Sequence, residues 1–397
     1  MGKNKVIRIT TPEFFVVLAY VLYISEEILN YTQFRGFLGW SIFRQLIIGA
    51  VAVFVGVGIF SRSKVSVKWL MVASLIVLFG FVISISNDLF SQTVIILLFI
   101  ISGTCLKSDR VIRYHWAVVS VLVAFTLFMY IIGVYTPDTF YKVSSDGVLL
   151  RQYLGFAYTT YPPNYLIHLM LTFYASRKKS ISLADTFIFL VINYIFYRLT
   201  YTYAVYYEVY LIIVVLWILK LKPTAFSGKV FRVMFTLFMP LLAIISVILA
   251  YIYTPANPIL FFLNQLMSSR LSLAHTGIAR YGVTLFGNAV QWSGGRYGVE
   301  RVDAYFYVDS SYINIILTYG IIALIFVIIS FALLSNKAHK KGNIKLCVIL
   351  AFLAIHSFTD PQLLELKYNP FLIILLAAYF PSMEPLLDVG RDLPSAV

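Results

Sequence analysis

Apolar residues run through this chain in blocks of about twenty, separated by short polar connections, with one long polar stretch between about 253 and 310. A bilayer core is crossed by roughly 20 apolar residues, within a range of about 17 to 25. Twelve blocks meet or approach that length: about 13–31, 41–60, 69–87, 89–106, 114–135, 159–176, 184–201, 203–220, 231–253, 310–334, 344–360 and 368–381. The pattern predicts an all-α, polytopic integral membrane protein of about 12 transmembrane helices. It forms a single transmembrane domain over 1–397, with two large polar loops at 136–158 and 254–309. Both loops are long enough to form a lid or a cleft, and no internal repeat stands out.

Composition agrees, because 60% hydrophobic and 12% charged residues leave too little polar surface for a soluble fold. The net charge of +14 is spread in twos to fours over short connections, which encodes orientation in a membrane and carries no nucleic-acid signature. With the N-terminus inside, the cytoplasmic connections hold Arg62, Lys64 and Lys68; Lys107, Arg110 and Arg113; Arg177, Lys178 and Lys179; Lys220, Lys222, Lys229 and Arg232; and Lys337, Lys340, Lys341 and Lys345. Both termini are then cytoplasmic, and both loops are extracytoplasmic. Lys3, Lys5 and Arg8 precede the first span without a small-residue cleavage site, so that span is expected to stay uncleaved. Cys105 and Cys347 fall beside cytoplasmic loops, where no disulfide is expected.

The ten basic residues left for the outer side are Arg35, Arg44, Arg151, Arg198, Arg270, Arg280, Arg296 and Arg301 with only Lys142 and Lys367, whereas lysine predominates inside. A guanidinium grips phosphate oxygens in a two-pronged geometry that an ammonium lacks, so this enrichment points to a phosphate or diphosphate at the outer interface. Snorkelling to lipid headgroups, or ion pairs with Glu300, Asp303 or Asp309, is the structural alternative for any one of them.

His356 lies about 12 residues into the eleventh block, roughly 18 Å deep by helical rise. An ionisable side chain at that depth carries chemistry or satisfies a neighbouring helix. Asp360, four residues on, shares its helical face and is placed to orient the imidazole. Glu208 and Arg198 flank the seventh and eighth blocks and either pair across that hairpin or divide, with Arg198 joining an anion site. Tyrosines crowd the outer loops, mostly as interfacial belt residues, a minority as stacking surfaces for sugar rings. No Gly-Lys-Ser/Thr loop and no histidine pair at metal-ligand spacing occurs, so neither ATP nor a metal nor another cofactor is expected.

Several short motifs add a resemblance. Ser268-Ser269-Arg270-Leu271, Tyr281-Gly282 with Thr284-Leu285-Phe286-Gly287, Asp309-Ser310-Ser311-Tyr312 with Asn314 and Tyr319-Gly320, and His356 ahead of Asn369-Pro370-Phe371-Leu372 resemble the C-terminal half of Wzy-type polysaccharide polymerases of Gram-positive bacteria. Arg151 with Leu154-Gly155-Phe156 and Pro163-Asn164 resembles the block before their sixth span. The chain departs from their pattern in having Ser269 where a glycine is usual, and Tyr201-Thr202-Tyr203 where an Asp-Ser-Arg sequence is common.

The resemblance implies a metal-independent glycosyltransferase of the bacterial cytoplasmic membrane, used in capsule or exopolysaccharide synthesis. It would join undecaprenyl-diphosphate-linked oligosaccharide repeats on the outer face, beside membrane lipids, a flippase and a chain-length regulator. By that reading Arg151, Arg270 and Arg280 hold the diphosphate, Asp309 positions an arginine or binds sugar, and His356 is the catalytic base or orients the acceptor. Rival readings are an O-antigen-ligase-like transferase, a lipid-linked oligosaccharide flippase and a cell-shape type peptidoglycan polymerase. The flippase should line a central pathway with charge instead of an outer loop.

Overall fold

The computed structural model describes residues 10–380, apart from 38, 62–64, 88–89, 107, 145–146 and 294–304. Arg296 and Arg301, with Glu300 and Asp303, lie outside the described residues. Seven described helices are long and apolar enough to cross a membrane: α2 (Trp40–Phe60), α3 (Val67–Asn87), α5 (Ser108–Ile131), α7 (Leu183–Thr200), α8 (Tyr203–Leu221), α9 (Lys229–Ile252) and α13 (Gly320–Lys340). Their outward faces leave Leu46, Phe60, Leu75, Phe187 and Val230 exposed. In water such patches would aggregate; against lipid they are solvated. The chain is a helical membrane protein.

The other five predicted spans, and the block that contains α13, take different forms. α1 (Thr11–Asn30) has the length but carries three acids, met by Arg110 on Glu13 at 3.1 Å, Arg44 on Glu26, and Lys367 on Glu27 at 3.3 Å. α4 (Phe90–Ser102) ends in a 3-10 turn, and at Gly103 an added Cβ would strike the carbonyl oxygen of Ile373. α6 (Tyr161–Ser176) and α14 (Ile344–Thr359) have 16 residues each. The block at 310–334 is broken into α12 (Ser311–Thr318) and α13, because Gly320 takes a left-handed φ of +87° that ends one helix before the next begins. The last block is a 3-10 stretch, Pro370–Ala378, whose Phe371, Leu372 and Ile373 are buried in protein. It runs through the interior instead of facing lipid, with Tyr368 just before it stacked on Tyr165 of α6 at 4.5 Å between ring centroids.

The two predicted outer loops are also structured. Residues 136–158 contain an antiparallel hairpin, β1 (Thr139–Ser144) and β2 (Gly147–Gln152), set in an otherwise helical chain. Residues 254–309 contain α10 (Pro258–Leu266), begun by Pro258 and capped by the Asn257 side chain, and α11 (Arg270–Tyr281), which packs against α9. The hairpin is tied to the ends of α1 and α5: Gln33 donates its backbone N–H to Gly155 O, and Gln33 Nε2 reaches Thr136 O and Asp138 Oδ2, both at 2.9 Å. These contacts define a hairpin end of the bundle. Lys345, which donates to Arg177 O at 2.8 Å, and His339 on Phe226 O mark the opposite end.

Gly320 and Gly287 hold the break between α12 and α13 against the segment that follows α11. A Cβ on Gly320 would sit 2.3 Å from Leu285 O and 2.5 Å from Gly287 N. Gly320→Ala should therefore lower stability by about 1 kcal/mol or more, from left-handed strain alone, read as a lower Tm in detergent. An unchanged Tm would show that the backbone contact is not fixed.

Candidate functional site

The site is assembled at the hairpin end from segments far apart in sequence. Arg151 stands on β2 opposite Phe140. Its Nε donates to Thr200 O and its Nη2 to Thr202 Oγ1 at 3.3 Å. That corner between α7 and α8 turns at Tyr201, whose φ of +48° presents the Thr200 carbonyl to the guanidinium. Arg151 is 7% exposed. Burial pushes its pKa down, the neighbouring Tyr158 phenol acts the other way, and the positive charge of Arg270 lowers it further.

Arg270 is the first residue of α11, and the two residues before it, Ser268 and Ser269, both take left-handed backbone, φ +52° and +67°. Asn264 fastens this turn: its backbone carbonyl accepts from Ser269 N and its side-chain Oδ1 from Ser272 N, each at 2.8 Å. The turn aims Arg270 Nε at Asp309 Oδ2, 3.2 Å away, and Nη1 donates to Met267 O at 3.4 Å. Burial disfavours the charge on Arg270, but Asp309 and Asp360 more than offset it and hold the pKa above its ordinary value.

Asp309 lies just before Ser310, the N-cap residue of α12, and is held there by the pairing of Ser310 Oγ with Ser246 Oγ of α9 at 3.0 Å. Burial pushes its carboxyl up to about 6, against the pull of Arg270 and with the push of Asp360. Asp360 caps the end of α14. Its Oδ1 accepts from Asn164 Nδ2 at 3.2 Å, and its backbone carbonyl accepts from Ser311 Oγ at 2.5 Å. Tyr158 and Tyr305 lie beside each other, and burial and the Asp309 charge raise the pKa of both. Between Tyr158, Tyr161, Tyr305, Asp309, Asp360 and Gln362 lies a niche of about 40 Å³, room for a few waters or one small polar group.

His356 lies one turn below Asp360 and is 1% exposed. Its Nδ1 is 3.0 Å from Glu208 Oε2 and its Nε2 2.8 Å from Gln362 Oε1, which also lies 3.1 Å from His168 Nε2. The two imidazoles meet edge to face at 4.9 Å. The expectation that Asp360 orients His356 is corrected: α14 ends at Thr359, Asp360 is extended (φ −135°), and its carboxylate turns to Asn164. Glu208 and Gln362 orient the ring instead. His356 reaches the niche only through Gln362, which lines it.

Of the other cations expected on the outer side, Arg280, Arg198, Arg44 and Lys367 separate from this cluster. Arg280 sits at the far end of α11, exposed, 5.4 Å over the Tyr281 ring and 5.6 Å over Phe306. Arg198 is exposed on α7, and Glu208, turned inward to His356, is not its partner. Arg44 and Lys367 are matched by acids: Arg44 by Glu26, and Lys367 by Glu365 at 2.7 Å and by Glu27, with its ammonium 3.5 Å from the Tyr31 ring centroid. Sequence reasoning missed Gln362 and the Glu208 partnership, which spans 148 positions. The one available signal for Glu208 was a lone acid in an apolar block. Among the described residues, no group of three or more His, Cys, Asp and Glu is arranged to hold a metal ion.

Left-handed backbone at Ser269 is the conformation glycine adopts most easily, and glycine is the residue usual at this place in the resembled pattern. Ser269→Gly should keep or raise the Tm. Ser269→Val should lower it by about 1–3 kcal/mol equivalent, since a β-branched residue at positive φ is a true outlier. Equal Tm values for the two variants would refute the assigned backbone geometry.

Comparison with known proteins returns no match for this chain from family models, curated proteins or solved structures.

Proposed function

We propose that this protein is a polysaccharide polymerase that joins oligosaccharide repeats carried on undecaprenyl diphosphate at the outer face of a bacterial cytoplasmic membrane. The observation that carries this reading is the buried Arg270, ion-paired with Asp309 of a tyrosine-walled niche and electrostatically coupled to the buried Arg151 at one end of the bundle. Two guanidiniums near enough for the charge of one to lower the pKa of the other suit a ligand with two negative centres, such as a diphosphate.

In the proposed reaction the bond between the anomeric carbon of the donor glycan and its diphosphate oxygen breaks. The electron pair leaves on the diphosphate, stabilised by Arg151 and Arg270. A hydroxyl oxygen of the acceptor repeat forms the new glycosidic bond to that carbon and gives its proton to a base. The products are the lengthened glycan on the acceptor's lipid diphosphate and free undecaprenyl diphosphate. Asp309 is the base this arrangement favours: burial brings its pKa near 6, and a diphosphate that engages Arg270 releases Asp309 to take the proton. His356, fixed by Glu208, serves as a positioning residue that holds Gln362 at the niche wall. A ligase reading shares these atoms and differs only in the acceptor. Purified protein given lipid-linked repeats should yield a ladder; a single addition to a foreign acceptor would replace polymerase with ligase.

Arg270→Lys keeps the charge and loses the fork, and should reduce polymer formation about tenfold or more, the worth of one charged hydrogen bond. Single lipid-linked units should then accumulate at normal protein level. Normal polymer from this variant removes Arg270 from the site. Because Asp309 acts as its anion, kcat/KM should fall as pH drops through about 6, the value in the protein without donor, and Asp309→Asn should be slow at every pH while still binding the donor. An acid limb that persists in Asp309→Asn assigns the proton to another group.

A further inference from the structure

Away from that site, α3, α4 and α13 enclose a groove of about 430 Å³, floored by the 3-10 stretch and its end at Phe380. The size is that of a ligand pocket, typically about 300–1,000 Å³. Its walls are apolar, among them Val72 and Phe79 of α3, Ile96 of α4, and Ala323 and Phe326 of α13. The polar side-chain atoms on the lining are the hydroxyls of Thr93, Tyr319 and Tyr379, the last paired with Ser330 Oγ at 2.9 Å. Lys68 is the one charged residue among the described lining residues, and its ammonium stands 5.6 Å from the Phe380 ring centroid.

The position of that charge is informative. Lys68 is the second residue of α3, at the end of the bundle opposite the hairpin: α2 starts at the hairpin end, where Trp40 Nε1 donates to Asn30 Oδ1, and α3 starts where α2 has finished. From Lys68 to Ile83, both on the lining, α3 rises about 22 Å, much of a hydrocarbon core of about 30 Å. The groove is thus a long apolar slot with a cation at one mouth, and the arginine pair lies at the other end of the molecule.

We propose that this groove is a binding site for an anionic glycerophospholipid of the leaflet at the Lys68 end. An acyl chain lies along α3, α4 and α13, and the phosphate meets the Lys68 ammonium, which snorkels to the headgroup level. Charge decides between this occupant and the tail of a prenyl diphosphate. A prenyl diphosphate held by Arg151 and Arg270 has its anion at the hairpin end and brings none to Lys68. The inference rests on the chain spanning a membrane and stands apart from the transferase reading.

The test is native mass spectrometry of the full chain released from nanodiscs of phosphatidylglycerol or of phosphatidylcholine. One retained phosphatidylglycerol and no retained phosphatidylcholine is expected. Lys68→Gln, a substitution at an exposed position, should reduce retention several-fold, and Ala323→Trp, which fills the groove, should abolish it. Equal retention of the two lipids, or undiminished retention in Lys68→Gln, overturns the proposal. So does displacement of the bound lipid by undecaprenyl diphosphate, which would assign the slot to a prenyl chain.

Discussion

Two guanidinium groups removed from water and set near each other are held apart in energy by their own repulsion, and no apolar packing can offset that. In this protein Arg151 and Arg270 are in that position, and much of the hairpin end is explained by how their charges are met. Arg151 is given a backbone carbonyl and a hydroxyl from the corner after α7. Arg270 is given Asp309 directly and Asp360 at longer range. The left-handed serines, the α9 hydroxyl under Ser310 and the Asn164 contact to Asp360 are the supports that put those oxygens in place. A site so balanced still holds one surplus of geometry, since a guanidinium fork facing a single carboxylate oxygen is built to take more acceptors.

Below this pair the same economy of polar groups continues into the bundle. In a bilayer interior every donor and acceptor must find its partner within the protein, and the amide oxygen of Gln362 is close to two imidazole nitrogens at once. That one atom links α6, α14 and, through His356, Glu208 of α8. The niche above and the buried histidines below therefore share a wall, which gives His356 influence over the site without direct contact.

Much of this was legible in the sequence, and the limits are physical. Hydropathy located the apolar segments because burial in lipid demands a continuous apolar run, and the segregation of arginine from lysine pointed to an anion, while the choice of Arg151, Arg270, Arg280 and Asp309 came from the resemblance. Hydropathy could not see the break at Gly320, since glycine is as apolar as its neighbours and only its backbone angle matters. Nor could it distinguish Pro370–Ala378, buried against protein, from a segment buried against lipid. Arg280 was grouped with Arg270 on the resemblance, yet ten residues of helix separate the two by about 15 Å. The Glu208–His356 pair joins residues whose meeting depends on how α8 packs beside α14, which no local pattern encodes.

The contact between Gly287 and Gly320 has a mechanical corollary. Backbone lies on backbone there, with no side chain to act as a compressible spacer, so the strap leaving α11 is riveted to the start of α13. Arg270 rides at the front of α11. Any swing of α11 that widened the niche would drag a full-length lipid-facing helix with it, and the viscosity of the surrounding bilayer would set its pace.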